Sequence, residues 1–467
     1  MNSWSNKQVL VLGLGETGLS MVRWLSVHGA HLRVADSRDA PPGLAEVMSL
    51  VGAGQVFCGE FTASLFDGID LIAISPGVPL GTPHVAKAVG RGIPVVGDIE
   101  LFAQQLTLRG ARAKPQVIAI TGANGKTTVT SMVEHMCKTA GRDAVAAGNI
   151  SPAVLDVVMQ RGGKQPEIWV LELSSFQLET TTSLNADVAT VLNISEDHLD
   201  RYDGMDGYVA AKQRIFQGCG VQLLNRDDAR SWGMRNPARE CVSFGLNAPP
   251  TEADFGILNE AGEIGLAQGS QCLLKARELQ VAGLHNVANA LAALALCRAV
   301  GLPMAALLAG LRSFKGLPHR VERVSELQGV TYYDDSKGTN VGATVAALEG
   351  LGCKAVLIAG GEGKGQDFTP LCGAVKHHAR AVVLIGRDAP IIEAALKGGK
   401  VAVHHAADMH QAVRLAAQLA LRGDAVLLSP ACASFDMYRN YAHRAAVFNE
   451  AVNELGKALR EEGAWSH

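Results

Sequence analysis

The sequence predicts an α/β protein of three domains, each built around a largely parallel sheet, and three observations carry that expectation. The chain has 467 residues, more than a single buried core usually organises. Short apolar runs of strand length alternate with amphipathic stretches along most of it, the pattern of parallel strands joined by helices and covered on both faces. Glycine-rich turns follow apolar runs in three successive blocks, bounded at 1–98, 99–316 and 317–467. The first and last blocks read as Rossmann-like domains and the middle one as a P-loop-type ATPase domain.

The first block opens on the apolar run Gln8–Gly13, with further strand candidates at His31–Ala35, Asp70–Ile74 and Ile93–Val96. Gly13-Leu14-Gly15-Glu16-Thr17-Gly18 follows the first strand and opens a helix, and Asp36 ends the second strand about 20 residues later. Glycines at a helix N-terminus let backbone N–H groups approach a pyrophosphate, and an acid at the second strand end suits a ribose diol. Taken alone this is the fingerprint of an NAD-dependent dehydrogenase. A UDP-sugar carries the same pyrophosphate and diol, and a purely structural glycine turn reads alike. Ser37 and Arg38 add polar and cationic partners beside Asp36. Ser75-Pro76-Gly77, at another strand end, faces the same crevice.

The middle block contains the most informative stretch, Thr121-Gly122-Ala123-Asn124-Gly125-Lys126-Thr127-Thr128. It lies between the strand candidate Pro115–Ile120 and the helix candidate Val129–Met136. Such a turn aims backbone N–H groups and the positive end of a helix dipole at one point, where a polyphosphate fits. Lys126 suits the β/γ-phosphates, and the Thr127 hydroxyl suits Mg²⁺. The usual motif places four residues between its first glycine and Gly-Lys, whereas here only Ala123 and Asn124 intervene. Glu172, in Glu-Leu-Ser-Ser-Phe-Gln177, ends another apolar run and is placed to hold Mg²⁺. His198 lies in Asn193-Ile-Ser-Glu-Asp-His-Leu-Asp-Arg-Tyr202, between two aspartates at a strand's carboxyl end, where parallel sheets bind ligands. Lys212 by itself reads as a surface lysine. Between about 240 and 283 the helical pattern gives way to short β segments at Gly256, Gly265 and Cys272. An uncharged alanine/leucine helix, His285–Leu296, then reads as buried.

The last block begins near Gly316-Leu-Pro-His-Arg320, with strands at Thr331–Tyr333, Ala355–Ala359, Ala381–Ile385 and Ala425–Leu428. Gly360-Gly-Glu-Gly-Lys364 and Ser429-Pro-Ala-Cys-Ala-Ser434-Phe435-Asp436 follow two of them. A glycine turn with a lysine can hold one carboxylate, and a serine hydroxyl with a backbone N–H can hold another. Generic α/β turns explain either segment taken singly.

Bulk properties exclude several classes. Charged residues make up 19% and hydrophobic ones 48%, and the net charge is −3, which leaves no footprint for nucleic acid or an anionic membrane. Nine scattered cysteines without a CxxC pair speak against disulfide staples and zinc, and for a reducing compartment. Met1–Lys7 lacks an uninterrupted apolar run, so no secretory signal is expected, nor any bilayer span. The expectation is a cytoplasmic protein, monomeric, that binds small molecules.

Taken in order, Thr-Gly-x-Asn-Gly-Lys-Thr, Glu-Leu-Ser-Ser-Phe-Gln, Asn-x-Ser-Glu-Asp-His-Leu-Asp-Arg and His-Asn-x-x-Asn resemble the Mur ligases, and the shortened loop spacing is that family's own. The resemblance spans essentially the whole chain and implies ATP-dependent amide formation in peptidoglycan precursor synthesis. It implies a UDP-sugar in the first domain, which turns the dinucleotide fingerprint from NAD toward UDP. It implies ATP in the second domain and an amino acid in the third. By it, Gly122, Asn124, Gly125, Lys126, Thr127, Thr128, Asn286, Asn289, Arg320 and Asp335 serve ATP. Thr127, Glu172, His198 and Lys212, the last as a carbamate, hold two Mg²⁺. Gly15, Glu16, Thr17, Asp36, Ser37, Arg38, Ser75, Gly77 and Asn149 serve the UDP substrate. Asp-Ser-Lys337-x-Thr339-Asn and Ser-Pro-Ala-Cys-Ala-Ser434 match the branch that adds D-glutamate to UDP-MurNAc-L-Ala. Lys337, Thr339, Lys364, Ser434, Phe435 and Tyr441 are then its amino-acid residues. Gly338 stands where that branch has alanine, and Tyr441 where it has phenylalanine. The alternatives to this reading are an NAD-dependent dehydrogenase, a non-catalytic nucleotide sensor and, within the ligase class, a folylpolyglutamate-synthase-like enzyme.

Overall fold

The computed structural model describes residues 4–108, 114–162, 164–197, 201–260, 262–281 and 283–464. The chain forms two compact units, one of Met1–Asn193, Asp206–Phe244 and Ala292–Gly310, the other of Ile194–Met205, Gly245–Leu291 and Leu311–His467.

The first unit holds two all-parallel sheets. Strands β1 (Gln8–Leu12), β2 (His31–Asp36), β3 (Val56–Cys58), β4 (Leu71–Ile74) and β5 (Val95–Val96) form the first, in the order β3-β2-β1-β4-β5. Helices α1 (Glu16–Val27), α2 (Leu44–Val51) and α3 (Pro83–Gly90) connect them. Helix α4 (Asp98–Leu108) leads into the second sheet, made of β6 (Gln116–Thr121), β7 (Ala144–Gly148), β8 (Ile168–Glu172), β9 (Val188–Val191), β10 (Val221–Asn225) and β11 (Cys241–Phe244). Their order is β11-β10-β9-β6-β8-β7. Helices α5 (Lys126–Thr139), α6 (Val154–Gln160), α7 (Ser175–Glu179), α8 (Gly204–Gln213) and α9 (Ala229–Gly233) accompany it. The central strands are near-continuous apolar runs because both faces are covered: all of β8 and β9, and β6 beyond Gln116, are buried.

The second unit starts from an antiparallel meander, β12 (Phe255–Glu260), β13 (Glu263–Gln268) and β14 (Gln271–Lys275), where the sequence predicts turn-linked β segments. The division between the units falls within α10 (Leu284–Ala299) and α11 (Met304–Ser313). A six-stranded mixed sheet follows: β15 (Glu322–Leu327), β16 (Val330–Asp334), β17 (Ala355–Gly360), β18 (Ala379–Ile385), β19 (Ala402–His405) and β20 (Ala425–Leu428), in the order β15-β16-β20-β17-β18-β19. Only β15 is antiparallel to its neighbour. Helices α12 (Val341–Gly350), α13 (Thr369–His378), α14 (Ala389–Leu396), α15 (Met409–Leu419) and α16 (Tyr441–Ala464) flank it, and apolar side chains of β16, β17, β18 and β20 fill the two layers.

Each run that reads as a strand in the sequence is one. Six strands escape that reading: β3, β7, β10, β11, β15 and β19. All but β10 are sheet edges, where one flank is unpaired and a long apolar run is not needed. All nine cysteines are free thiols. No helix among the described residues is long and apolar enough to cross a membrane.

Candidate active site

In the first sheet the β1–α1 turn is built by close approach. Gly13 has φ +87°, and a Cβ on Gly18 would lie 1.8 Å from the Gly13 carbonyl oxygen, so neither tolerates a side chain. The buried Ser75 hydroxyl donates to that same carbonyl at 2.9 Å. The Leu14 N–H donates to Asp36 Oδ2 at 2.6 Å. Arg38 donates to Asp36 from its backbone N–H at 2.9 Å, from Nε at 2.8 Å and from its terminal nitrogen at 2.7 Å. Burial pushes the Asp36 carboxyl up, but Arg38 and the two backbone N–H groups outweigh it and bring it down to about 2. Asp36 therefore braces the turn and Arg38 as well as facing any ligand.

This turn forms one wall of a cavity of about 470 Å³. Its lining includes Gly15, Glu16, Thr17, Asp36, Ser37, Arg38, Ser75, Gly77 and Asn149, all nine residues that the sequence points to for the UDP substrate. Asn149 follows β7 on the second sheet, and Ser151 beyond it donates to Glu16 at 2.7 Å. Gly148 has φ +111°, and a Cβ there would meet the Glu172 carbonyl oxygen at 2.2 Å. That approach lets the Asn149 side-chain amide donate to Glu172 Oε1 at 2.8 Å. Glu172 is 2% exposed at the end of β8, and its Oε2 is buried with no protein partner. A buried carboxylate oxygen left unpaired in this way fits a hard cation such as Mg²⁺.

The phosphate-type loop lies at the end of β6, next to β8. Gly122 takes φ +156° and Gly125 +81°. Asn193 clamps the loop: its side chain accepts from the Asn124 N–H at 2.8 Å and donates to the Asn124 carbonyl at 3.1 Å. The Lys126 ammonium donates to the carbonyls of Gly122 and Ala123 at 2.8 and 3.0 Å. Lys212 is not on the surface. It is 2% exposed, donates to the Gly122 carbonyl at 2.9 Å, and lies 4.7 Å from the centre of the Tyr208 ring. Two lysines thus converge on the first glycine of the loop.

In the second unit the loops after β16, β17 and β20 are neighbours. Lys364 and Ala431 in these loops, and His319 and Val321 just before β15, have φ between +51° and +62°. Paired backbone bonds of 2.9 Å between Glu362 and Ala433 zip the Lys364 and Ser434 loops together. Lys337 places its ammonium 3.7 Å from the centre of the Tyr441 ring. Lys364 is exposed, Ser434 is buried and Phe435 is 67% exposed. Asp335 accepts from the Ser429 hydroxyl at 2.6 Å. Burial pushes its carboxyl up to about 7, against the pull of Ser429 and the Arg320 charge. His319 Nδ1 sits 2.7 Å from buried Asp334, and with Glu322 these two offer ligand atoms within 4.8 Å of one another. Asn289 donates to Asn286 at 3.2 Å on α10.

Family models match three successive segments: a Mur ligase MurD-like N-terminal domain over residues 7–97, a Mur ligase middle domain over 120–297, and a Mur ligase glutamate ligase domain over 319–432. A UDP-N-acetylmuramoylalanine--D-glutamate ligase from Nitrosomonas europaea is 56% identical over 457 residues, covering 96% of this chain and 97% of that protein. The chain belongs to the Mur ligase family. A ligase of the same name from Nitrosospira multiformis is 57% identical over 456 residues, covering 97% of this chain and 96% of its own length. The fold is also that of a pseudomurein peptide ligase from Methanothermus fervidus, with a TM-score of 0.59 at 20% identity over 96% of this chain and 100% of that one.

In this Mur ligase the structure brings the residues expected to serve the UDP substrate into one cavity, ties Asn149 to Glu172, and gathers Lys337, Thr339, Lys364, Ser434 and Phe435, expected to serve the amino acid, in the loops after three strands of one sheet. His198 lies outside the described residues. Three contributors escape sequence reasoning. Asn193 stands directly after a strand, inside a motif already singled out, so its position was a usable signal. Gln177 lines the cavity and donates to buried Asp98 at 3.1 Å. Arg444 reads as one more charge on a helix. It is instead fully buried, donating to the Ser336 hydroxyl at 3.0 Å, the Ser336 carbonyl at 2.8 Å and the Cys432 carbonyl at 3.1 Å. Burial brings its guanidinium down to about 10.

Proposed function

We propose that this chain forms the amide between the L-alanyl carboxylate of UDP-N-acetylmuramoyl-L-alanine and the amine of D-glutamate, converting ATP to ADP and phosphate. The observation that carries the reading is the cavity of about 470 Å³ whose far wall, Asn149, is hydrogen-bonded to Glu172 on the strand beside the phosphate loop. A substrate with its uridine diphosphate against Gly15–Thr17 and Asp36–Arg38 extends along that wall toward the carboxylate and the loop.

A carboxylate is a poor acylating agent because oxide would have to leave. Its attack on the γ-phosphorus of ATP gives an acyl phosphate and ADP. The amine of D-glutamate then adds to the acyl carbon, loses one proton while keeping the N–H of the amide, and the tetrahedral adduct expels phosphate. Lys126 and the backbone of Gly122–Thr128 neutralise and orient the triphosphate, so that positioning and charge carry most of the catalysis. Thr127, Glu172, His198 and Lys212 as its carbamate are the proposed Mg²⁺ ligands, and the orphaned Glu172 oxygen supports the set. When bound, the ions supply charge neutralisation on the phosphoryl oxygens. Carbamylation replaces a cation with a carboxylate at Lys212, reversing the sign of its field on a metal. On the amino-acid side, Lys337, Thr339, Lys364, Ser434, Phe435 and Tyr441 receive D-glutamate, with cationic and hydroxyl partners for two carboxylates. Asn286, Asn289, Arg320 and Asp335 take the adenosine side of ATP.

The test is phosphate release with ATP and UDP-N-acetylmuramoyl-L-alanine against a panel of amino acids. D-Glutamate is expected to be active and L-glutamate, L-alanine and meso-diaminopimelate inactive. Preference for any other member of the panel overturns the substrate assignment.

A further inference from the structure

His285 opens the His-Asn-x-x-Asn stretch at the start of α10, and no role has so far been attached to it. Its ring occupies a seat between two glycines. A Cβ on Gly283 would lie 2.7 Å from ring Cε1, and a Cβ on Gly350 would lie 2.9 Å from both Cε1 and Nδ1. Gly283 has φ +96°, so its backbone alone calls for glycine. Gly350 is different. It ends α12, lies outside the left-handed region, and would be better as alanine for helix stability. Only the approach of the ring and of Gly283 explains a glycine there. One turn earlier on α12, the Ala346 backbone faces the same ring and favours its protonated form. Nδ1 is buried without a partner. Burial, the larger influence, pulls its basicity below the ordinary value against the pull of Ala346.

We infer that His285 is a positioning residue: it seats the start of α10 on the end of α12, and so sets the placement of Asn286 and Asn289 relative to the amino-acid-side sheet. The two sides lie in segments matched by different family models, 120–297 and 319–432, so the seat joins the middle-domain segment to the glutamate ligase segment. The inference rests on the reading of Asn286 and Asn289 as nucleotide ligands.

The test is a double-mutant cycle between His285→Ala and Gly350→Ala, with Gly373→Ala as control, since a Cβ on Gly373 meets nothing within 4 Å. Each single variant is expected to raise the KM for ATP roughly five- to tenfold, the scale of one lost buried hydrogen bond, and to leave the KM for the UDP substrate unchanged. The double variant is expected to be no worse than about twice the poorer single variant, because the second change acts on a seat already lost. Additive effects, or equal shifts in both KM values, overturn the inference. His285→Gln keeps a donor for Ala346 and is expected to recover most of the loss. It carries the test alone if Gly350→Ala does not fold. Hydrogen exchange is expected to rise together in 284–291 and 341–350 in His285→Ala, and a rise in one segment only also overturns the seat. Binding of a fluorescent ATP analogue to Asn289→Ala checks the underlying reading separately. Unchanged affinity there, with coupled exchange intact, removes the nucleotide assignment and leaves the seat standing.

Discussion

The cavity of the first unit and the strand-end cluster of the second are assembled by different means. Around the cavity, backbone does the holding. Gly13, Gly18 and Gly148 permit approaches that no side chain would survive, and Asp36 and Ser75 bind main-chain atoms directly. In and beside the cluster, four residues adopt the left-handed backbone without being glycine, Phe435 stands largely in solvent, and one buried arginine links the Ser336 and Cys432 loops. The difference teaches that the cavity is pre-organised by the sheet itself, whereas the strand-end cluster depends on a few long side chains and on tolerated strain.

Four changes would break or sharpen that contrast. The largest effect is expected at the point where the cavity meets the loop. Glu172→Gln keeps an acceptor for Asn149 but removes the charge, and phosphate release should fall about a thousandfold with the UDP-substrate affinity retained. Activity within tenfold of wild type would remove Glu172 from the metal set.

Next is Arg444→Met, which leaves the Ser336 and Cys432 acceptors buried and unpaired. The KM for D-glutamate should rise about a hundredfold while UDP-substrate binding, measured by calorimetry, stays put. Parallel loss of both affinities would mean that the two sides are not separately built.

Asp335 tests strain in the cluster. Its carboxyl is pushed up to about 7 by burial, so the folded protein binds a proton there that the unfolded chain releases near its ordinary value of 3.8. Its contribution to stability is therefore present in acid and lost as pH rises through about 7. Asp335→Asn should unfold later than wild type in urea at pH 8.5, by on the order of 2 kcal/mol, and match it at pH 4. Its ATP affinity should drop at both pH values. A stability gain that does not depend on pH would contradict the buried-acid account.

The smallest effect belongs to Ser151→Ala. It removes the exposed bond to Glu16 at the cavity rim and should raise the UDP-substrate KM by no more than about threefold, because solvent-exposed polar contacts contribute little. A tenfold rise would show that the rim, and not the glycine turn, governs binding.

Much of the site was legible along the chain because its chemistry is local. Gly13–Gly18, Gly122–Thr128 and Glu172 each sit at the end of a buried apolar strand, and a parallel sheet delivers such positions to one edge. Edge strands such as β3, β15 and β19 were not legible, since half-covered strands need no continuous apolar run. Arg444 was hidden for a related reason: nothing in a helical sequence distinguishes an arginine that points into a loop junction from one that points into water.

The sequence by itself determined the class of fold, the two glycine-rich turns between strand and helix, and the residue types gathered around them, because strand periodicity and glycine turns are short-range properties. Only the tertiary structure decided that Lys212 is buried against Gly122, that Asp36 braces Leu14, and that Asn149 reaches Glu172. Those facts depend on distances between segments 20 to 90 residues apart, which packing sets and local pattern does not record.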